Sequence, residues 1–243
     1  MTLIQSLGFQ VQESDVIVSN LQEEERELGY REILSSRRVK FLLLGIFTSM
    51  FTYIFLDPVL APFMDYYYGV EPELVGFVFL GMGAGYILYC AVLPWLSERV
   101  ARRTLIHVGT LLYSGAIFFI GPSMLLGLPK SLALSVVALV LHGVFGAYLV
   151  LLYAEVVDVA KEHAGSDSKQ LNDLVSGLQN AFVALGQLTG PLVGNYLTQE
   201  FSFFTACDLM GFWALIYTAV HWICCDCLYV KPTRLGEKLK KSS

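Results

Sequence analysis

Residues 41–63 form a run of 23 residues in which Asp57 is the only charged side chain. At about 1.5 Å of rise per residue, a helix of this length crosses a hydrocarbon core of roughly 30 Å. A carboxylate is costly to desolvate at that depth, and Pro58, directly after it, cannot bond the carbonyl of Ile54. The run therefore predicts a membrane helix that kinks or opens beside Asp57, leaving backbone polar groups that need a partner or a watery cavity.

The composition of the whole chain is that of a membrane protein. Of its 243 residues, 55% are hydrophobic and 15% are charged, whereas a soluble domain has about a quarter of its residues charged. The apolar runs predict an all-α membrane domain over residues 41–229, preceded by a cytoplasmic leader, 1–40, and followed by a basic cytoplasmic tail, 230–243. Its six predicted membrane helices cover 41–63, 75–96, 105–127, 131–154, 172–197 and 203–229.

The basic residues predict the orientation. Fifteen of the 16 lie before, after or between the spans on one side, and Lys130 lies on the other. This positive-inside bias predicts an integral multi-pass protein with both termini in the cytoplasm, in a vesicular, other endomembrane or plasma membrane. The lipid bilayer is thus an expected partner, and no nucleic acid is expected.

The five cysteines show no disulfide framework. Cys224, Cys225 and Cys227 follow His221 at the predicted cytoplasmic end of the last span. On a helix these side chains diverge, so palmitoylation is favoured slightly over a metal site. Neither a metal nor a cofactor is predicted.

The fifth span carries a spaced glycine pattern, Gly-x8-Gly-x3-Gly-Pro-x2-Gly. Its members are Gly177, Gly186, Gly190, Pro191 and Gly194. The last three glycines share one flank of a helix and let a neighbouring backbone approach closely, and Pro191 is expected to bend the span. The alternative is an ordinary, tightly packed membrane helix.

The loop after the second span, residues 93–103, places an acid and three arginines at a cytoplasmic helix end. Glu98 could pair with a neighbouring helix, while Arg99, Arg102 and Arg103 could lie against carbonyl ends. A plain positively charged anchor is the alternative.

Together, these two motifs resemble the major facilitator superfamily. Its loop motif, Gly-x3-Asp-Arg-x-Gly-Arg-Arg, is matched by Glu98, Arg99, Arg102 and Arg103, with Pro94 and Ala101 at the two glycine positions. The glycine pattern resembles its antiporter signature, or the counterpart of that signature in the second half. The resemblance covers residues 41–229 and implies the C-terminal six-helix half of a transporter, built as a 3+3 inverted repeat. Residues 1–40 then resemble the linker between the halves.

A narrower resemblance involves residues 56–64, Leu-Asp-Pro-Val-Leu-Ala-Pro-Phe-Met. They are similar to the start of the second half in the vesicular amine transporter group, and Tyr86 and Asp158 also fit. Gly146 and Asn180 stand where the monoamine members have further carboxylates. The resemblance implies transport, most plausibly proton-coupled antiport of an amine, a polyamine or another small organic solute. An enzyme is not expected, because no His/Glu or Ser/His arrangement converges.

The candidate substrate or proton site centres on Asp57. Its carboxylate could bind a cationic amine, with Tyr53 adding a cation–π contact, or it could take up and release a proton; a structural carboxylate is the alternative. His142 faces either a neighbouring helix or the cavity, and Asn180 either lines the cavity or bonds between helices. The full set is Asp57, Tyr53, Pro58, Tyr86, His142 and Asn180.

Glu155 and Asp158, at the end of the fourth span, could form a gate with the arginines of the 93–103 loop, or be solvated helix-end acids. The length of the chain corresponds to one half of a transporter. It could pair with itself or with a second half, or it could be a truncated fragment or a non-transporting membrane scaffold that retained the fold.

Overall fold

The computed structural model describes residues 29–223, which consist of helices joined by turns. The predicted all-α class is therefore confirmed. The helices are α1 Tyr30–Ile33, α2 Arg37–Ile54, α3 Leu60–Tyr68, α4 Pro72–Ser97, α5 Arg102–Ile120, α6 Leu132–Gly146, α7 Tyr148–Ala164, α8 Lys169–Glu200 and α9 Phe203–Ile223. Most of the predicted leader, the whole tail, and Cys224, Cys225 and Cys227 lie outside the described residues.

The first predicted span is interrupted beside Asp57, as Pro58 predicted. Helix α2 begins after Ser36, whose hydroxyl accepts a hydrogen bond from the Val39 amide, and it ends at Ile54. Residues 55–59 form turns before α3 begins. The Ile54 carbonyl, which Pro58 cannot reach, accepts from the Asp57 amide at 3.1 Å. The Ile54 carbonyl oxygen is thus satisfied by a local backbone hydrogen bond at the break.

The third span ends earlier than predicted. Helix α5 stops at Ile120, seven residues before the expected end at 127, and the connector to α6 covers 121–131. The expected connector was 128–131. The physical reason is Pro122, which disfavours helical backbone at the preceding residue. Gly121 accordingly has extended backbone angles.

The fourth span extends further than predicted. The expected cytoplasmic loop, 156–170, is instead helical through Ala164, and the connector is 165–168. Val156, Val159 and Ala160 are buried, so the apolar face of α7 continues past residue 154. Gly165 then ends the helix with a φ of 66°.

Four helices of the described residues are long and apolar enough to cross a membrane. They are Pro72–Ser97, Arg102–Ile120, the combined α6 and α7 (Leu132–Ala164), and Phe203–Ile223. The first predicted span is interrupted at Ile54, and its helix, α2, also includes Arg37, Arg38 and Lys40, which precede residue 41. The fifth, α8, is long but rich in amides and hydroxyls. The six-span arrangement therefore stays a prediction.

Glycines allow the closest helix contacts. A Cβ on Gly190 would lie 2.7 Å from the Phe51 carbonyl oxygen, and one on Gly194 would lie 2.6 Å from that of Phe55. Gly186 contacts the same strip of α2, so α8 packs against backbone rather than side chains. Gly177 lies apart from this strip, near the Tyr30 hydroxyl. Helix α8 continues unbroken through Pro191.

A second close contact joins α4 and α6. A Cβ on Gly85 would lie 3.2 Å from the Val140 carbonyl oxygen, and Gly143 contacts the backbone of Met82. The remaining surface of α4 is largely exposed and apolar, with Phe77, Leu80 and Leu88 each more than 60% accessible. Such a surface is suited to contact with lipid, because apolar side chains are more stable against hydrocarbon chains than in water.

We expect Gly190→Ala to destabilise the protein by about 1–3 kcal/mol, since the new methyl group meets backbone that cannot rotate away. Gly83→Ala is the matched control, because a Cβ at Gly83 meets nothing within 4 Å. The measurement is thermal unfolding in detergent. Equal midpoints for the two variants would contradict the contact between α8 and α2.

Candidate functional site

The break between α2 and α3 directs Asp57 outward. Phe55, Leu56 and Leu60 on either side of it are completely buried, whereas Asp57 and Pro58 are exposed. The apolar residues thus anchor the turn and leave the carboxylate at the accessible surface of the bundle. We call the surface that carries Asp57 the open face.

A series of three interacting tyrosines from different helices begins at this carboxylate. Tyr53, one turn before Asp57, interacts electrostatically with it. The phenol of Tyr86 on α4 interacts in turn with those of Tyr53 and of Tyr153 on α7, and it bonds to the Cys90 thiol. Helices α2, α4 and α7 therefore present one carboxylate and three half-buried phenols to the same region. Tyr153 was not among the residues that the sequence singled out.

His142 lies beneath the tyrosines. It is completely buried, and its ring stacks on those of Tyr113 at 4.1 Å and Tyr53 at 5.7 Å between centroids. Its Nδ1 lies 3.4 Å from the Tyr113 carbonyl oxygen, and its Nε2 has no hydrogen-bond partner among residues 29–223. Of the two predicted environments, the histidine has the one between helices. A Cβ at Gly146, one turn further on, would lie in ordinary van der Waals contact with the two tyrosine rings.

A hydrogen-bonded network supports this layer from within the bundle. The Tyr113 hydroxyl donates to the Ser49 carbonyl oxygen at 2.9 Å and lies 3.1 Å from the Thr52 hydroxyl. The Ser49 hydroxyl also bonds to that of Tyr148. All of these groups are buried, so they fix α2 against α5 and α7. No pattern in the sequence indicated this network, since serine and threonine are common in membrane helices.

Two neighbouring amides of α8, Gln179 and Asn180, have different environments. The Gln179 side chain is buried and donates from Nε2 to the Tyr153 carbonyl oxygen at 2.9 Å, which is an interhelical bond. Asn180 is exposed. It has the orientation expected of a residue that lines an open face.

A cluster of ion pairs lies at the other end of the bundle, which we call the Arg102 end. The Arg102 guanidinium lies 2.5 Å from Asp158 and 3.2 Å from Glu155, joining α5 to α7. Arg38 on α2 pairs with Glu162 at 2.6 Å. Glu155 is buried, so the Arg102 contact neutralises a carboxylate that would otherwise be costly.

The rest of the 93–103 loop has simpler contacts. Glu98 is exposed at the end of α4, and Arg102 rather than Glu98 makes the pairs across to another helix. The Arg99 guanidinium stacks on Trp95, 3.9 Å from the ring centroid. Arg103 is partly buried near His107 and His221.

The connector between α7 and α8 carries another ion pair. Lys161 lies 2.8 Å from Asp167, and its hydrogen bond holds the pKa of the Asp167 carboxyl below its ordinary value. Both residues are accessible, so the pair adds little stability.

Asp208 is an acid that the sequence reasoning overlooked. It lies in α9, is 4% exposed, and its Oδ1 has no hydrogen-bond partner in the described part of the chain. The signal was the same as for Asp57, an acid within an otherwise apolar span. No proline follows it, so the sequence does not indicate a helix break beside it.

We expect Arg102→Gln to destabilise the protein by about 1–3 kcal/mol, because it leaves buried Glu155 without its cation. The measurement is unfolding in detergent at neutral pH. Arg99→Gln is the control, since losing an exposed cation–π contact costs about 0.5–1 kcal/mol. A smaller loss for Arg102→Gln than for Arg99→Gln would show that Glu155 does not depend on Arg102.

Comparison with known proteins places the chain among transporters. A family model described as Major Facilitator Superfamily matches residues 42–242. The MFS-type transporter SLC18B1 of Homo sapiens is 28% identical over 203 residues, 82% of this chain and 44% of that protein. The protein of the same name from Mus musculus is 31% identical over 165 residues, 67% of this chain and 36% of that protein. The chain thus spans less than half the length of these relatives.

The long apolar helices define an integral membrane protein. The chain belongs to the major facilitator superfamily. Both the family and the names of the relatives point to a transporter and not to an enzyme, as the sequence predicted.

Proposed function

We propose that the chain is the C-terminal six-helix half of a transporter and takes part in proton-coupled antiport of a small organic solute by alternating access. Residues 1–40 would be its cytoplasmic leader or linker, 41–229 its 3+3 repeat, and 230–243 its cytoplasmic tail. The solute is an amine or a polyamine. The observation that carries the proposal is the exposed Asp57 carboxylate at a helix break, with Tyr53 beside it and Tyr86 next to Tyr53.

A single carboxylate can couple the two movements. Within a membrane its negative charge is costly unless a cation or a proton neutralises it. A protonated amine and a proton then compete for the same group, so uptake of one releases the other. Tyr53 and Tyr86 add aromatic faces that attract an ammonium group. Pro58 interrupts the helical hydrogen bonding of the backbone, which keeps Asp57 outside a regular helix.

The Arg102 end provides the proposed gate. Its pairs connect α2 and α5 to α7, the second part of the span that contains His142 and Gly146. Separation of Arg102 from Asp158 would open this end and expose the solute site to the cytoplasm. Glu155 and Asp158 share one arginine, so either acid can hold it while the other is released. The exposed Glu98 and Arg99 would belong to the same cytoplasmic gate, with Arg103 beside them.

The open face requires a cover. Asp57 on the α2–α3 break and Asn180, Gln187 and Asn195 on α8 are exposed polar residues of a membrane domain. In lipid they would lack partners. A second six-helix unit, either another half-transporter or a second copy of this chain, would enclose them in a solute cavity. The relatives, more than twice as long as the matched segment, are long enough to hold two such units.

A non-transporting membrane scaffold or subunit is the second candidate, because the close contact between α2 and α8 holds the fold together without involving the Asp57 side chain. Such a protein would keep the packing of α2 against α8 and would have no use for Asp57.

Uptake into proteoliposomes distinguishes the two candidates. The chain is reconstituted as a defined oligomer in vesicles with an acidic lumen, so that the proton gradient is directed outward. Radiolabelled spermidine or phenethylamine is then added to the external solution. We expect uptake that Asp57→Asn reduces by about tenfold or more. The uncharged amide cannot take up the proton and cannot form an ion pair with the ammonium group.

Asp173→Asn is the matched control, because Asp173 is an exposed carboxylate of α8 away from the break. It should leave uptake unchanged. Absence of gradient-driven uptake, together with no effect of Asp57→Asn, would support the scaffold and contradict the proposal.

A further inference from the structure

A cleft lies beside the helix break, at the end of the bundle opposite Arg102. It has a volume of about 550 Å³ and is open on one side. Pro58, Pro62, Tyr66 and Tyr67 line it from the α2–α3 break and α3, and Asn195 and Gln199 line it from α8. Because Pro58 directly follows Asp57, the cleft adjoins the candidate solute site.

The walls of the cleft combine aromatic rings with uncharged acceptors. Gln199 donates from Nε2 to the Asn195 Oδ1 at 3.0 Å. That bond uses the side-chain oxygen of Asn195 and one N–H of the Gln199 side chain. The side-chain oxygen of Gln199, Oε1, is left able to accept a hydrogen bond from a ligand. The Thr198 hydroxyl in the same wall has no hydrogen-bond partner among the described residues. The cleft thus offers polar atoms beside a mainly apolar surface.

The aromatic groups on this side already hold one ammonium group. Lys130 Nζ lies 4.7 Å from the Phe204 ring centroid and 5.5 Å from that of Tyr67. Phe63 and Phe203 stack at 3.9 Å and extend the same cluster to the cleft. The rings therefore present the negative π faces that attract cations.

The charges around this end also favour a cation. The turns and helix ends nearest to it carry four exposed acids, Asp65, Glu71, Glu73 and Glu200, and Lys130 is the one basic residue in the described segments 65–73, 121–131 and 198–202. A surplus of negative charge around an opening raises the local concentration of cations.

We propose that this cleft is a second binding site, for an organic cation with an aromatic or other apolar body. Its ammonium group lies against Tyr66 and the carbonyl oxygen of Gln199, and its apolar body lies on Pro58 and Pro62. The assignment rests on the proposed function, since the cleft would hold the solute before it reaches Asp57. No carboxylate is present among the described residues that line the cleft, so it binds the solute without requiring release of a proton.

The test measures binding of 4-fluorophenethylamine to the full chain in lipid nanodiscs by 19F NMR. Tyr66→Ala and Asn195→Ala should each weaken this binding by about threefold or more, through loss of a cation–π contact or of the wall amide. Tyr66 is 86% exposed, so its removal leaves the packing intact. Tyr196→Ala is the matched control, because Tyr196 is exposed on the same helix but lies outside the cleft. The uncharged 2-(4-fluorophenyl)ethanol should bind more weakly than the amine.

The proposal is overturned if Tyr66→Ala and Asn195→Ala bind the amine as tightly as Tyr196→Ala does, or if the alcohol binds as tightly as the amine. It is also overturned if Asp57→Asn alone abolishes all binding, because there would then be one site. Failure of the proposed function gives a different result. In that case the wild-type chain shows no gradient-driven uptake, while binding that depends on Tyr66 persists.

Discussion

The contact between α8 and the last turns of α2 is the interaction on which the candidate site depends. Gly186, Gly190 and Gly194 bring α8 against the backbone of Phe47, Phe51 and Phe55. Any side chain at these glycines would force the helices apart. The contact ends where α2 ends, so the break at Pro58 occurs on a helix that is held firmly to its last turn. The buried Phe55 and Leu56 complete the anchor, and Asp57 is left on the open face.

Two layers of polar groups lie along the axis of the bundle. The buried hydroxyls of Ser49, Thr52, Tyr113 and Tyr148 bond to one another and to backbone within the described bundle, and they make the interior rigid. The ion pairs of Arg102 lie at one end, and they are partly accessible. A transporter needs both properties. A firm interior keeps the tyrosines in place around Asp57, while accessible ion pairs can separate at modest cost.

The sequence predicted those features that depend on one residue type at one place. Pro58 removes a hydrogen bond in any helix, so the break was predictable, and a four-residue glycine spacing indicates close packing in any membrane helix. Helix ends were harder, because α7 continues to Ala164 through packing of Val156 and Val159 against other helices. Asp208 and the cleft at Tyr66 were missed for a related reason. Whether an acid is buried, and which side chains meet across two helices, depends on contacts between residues far apart in the chain.

The central claim is that the face bearing Asp57 borders water inside the assembled transporter rather than lipid. Labelling with a membrane-impermeant maleimide tests it most directly, in a background whose five cysteines are replaced by serine. Leu88 provides the comparison, since it is 68% exposed on the apolar surface of α4. We predict that the Asp57→Cys variant is labelled rapidly, while Leu88→Cys is not labelled. Failure of the reagent to label either position would contradict the account.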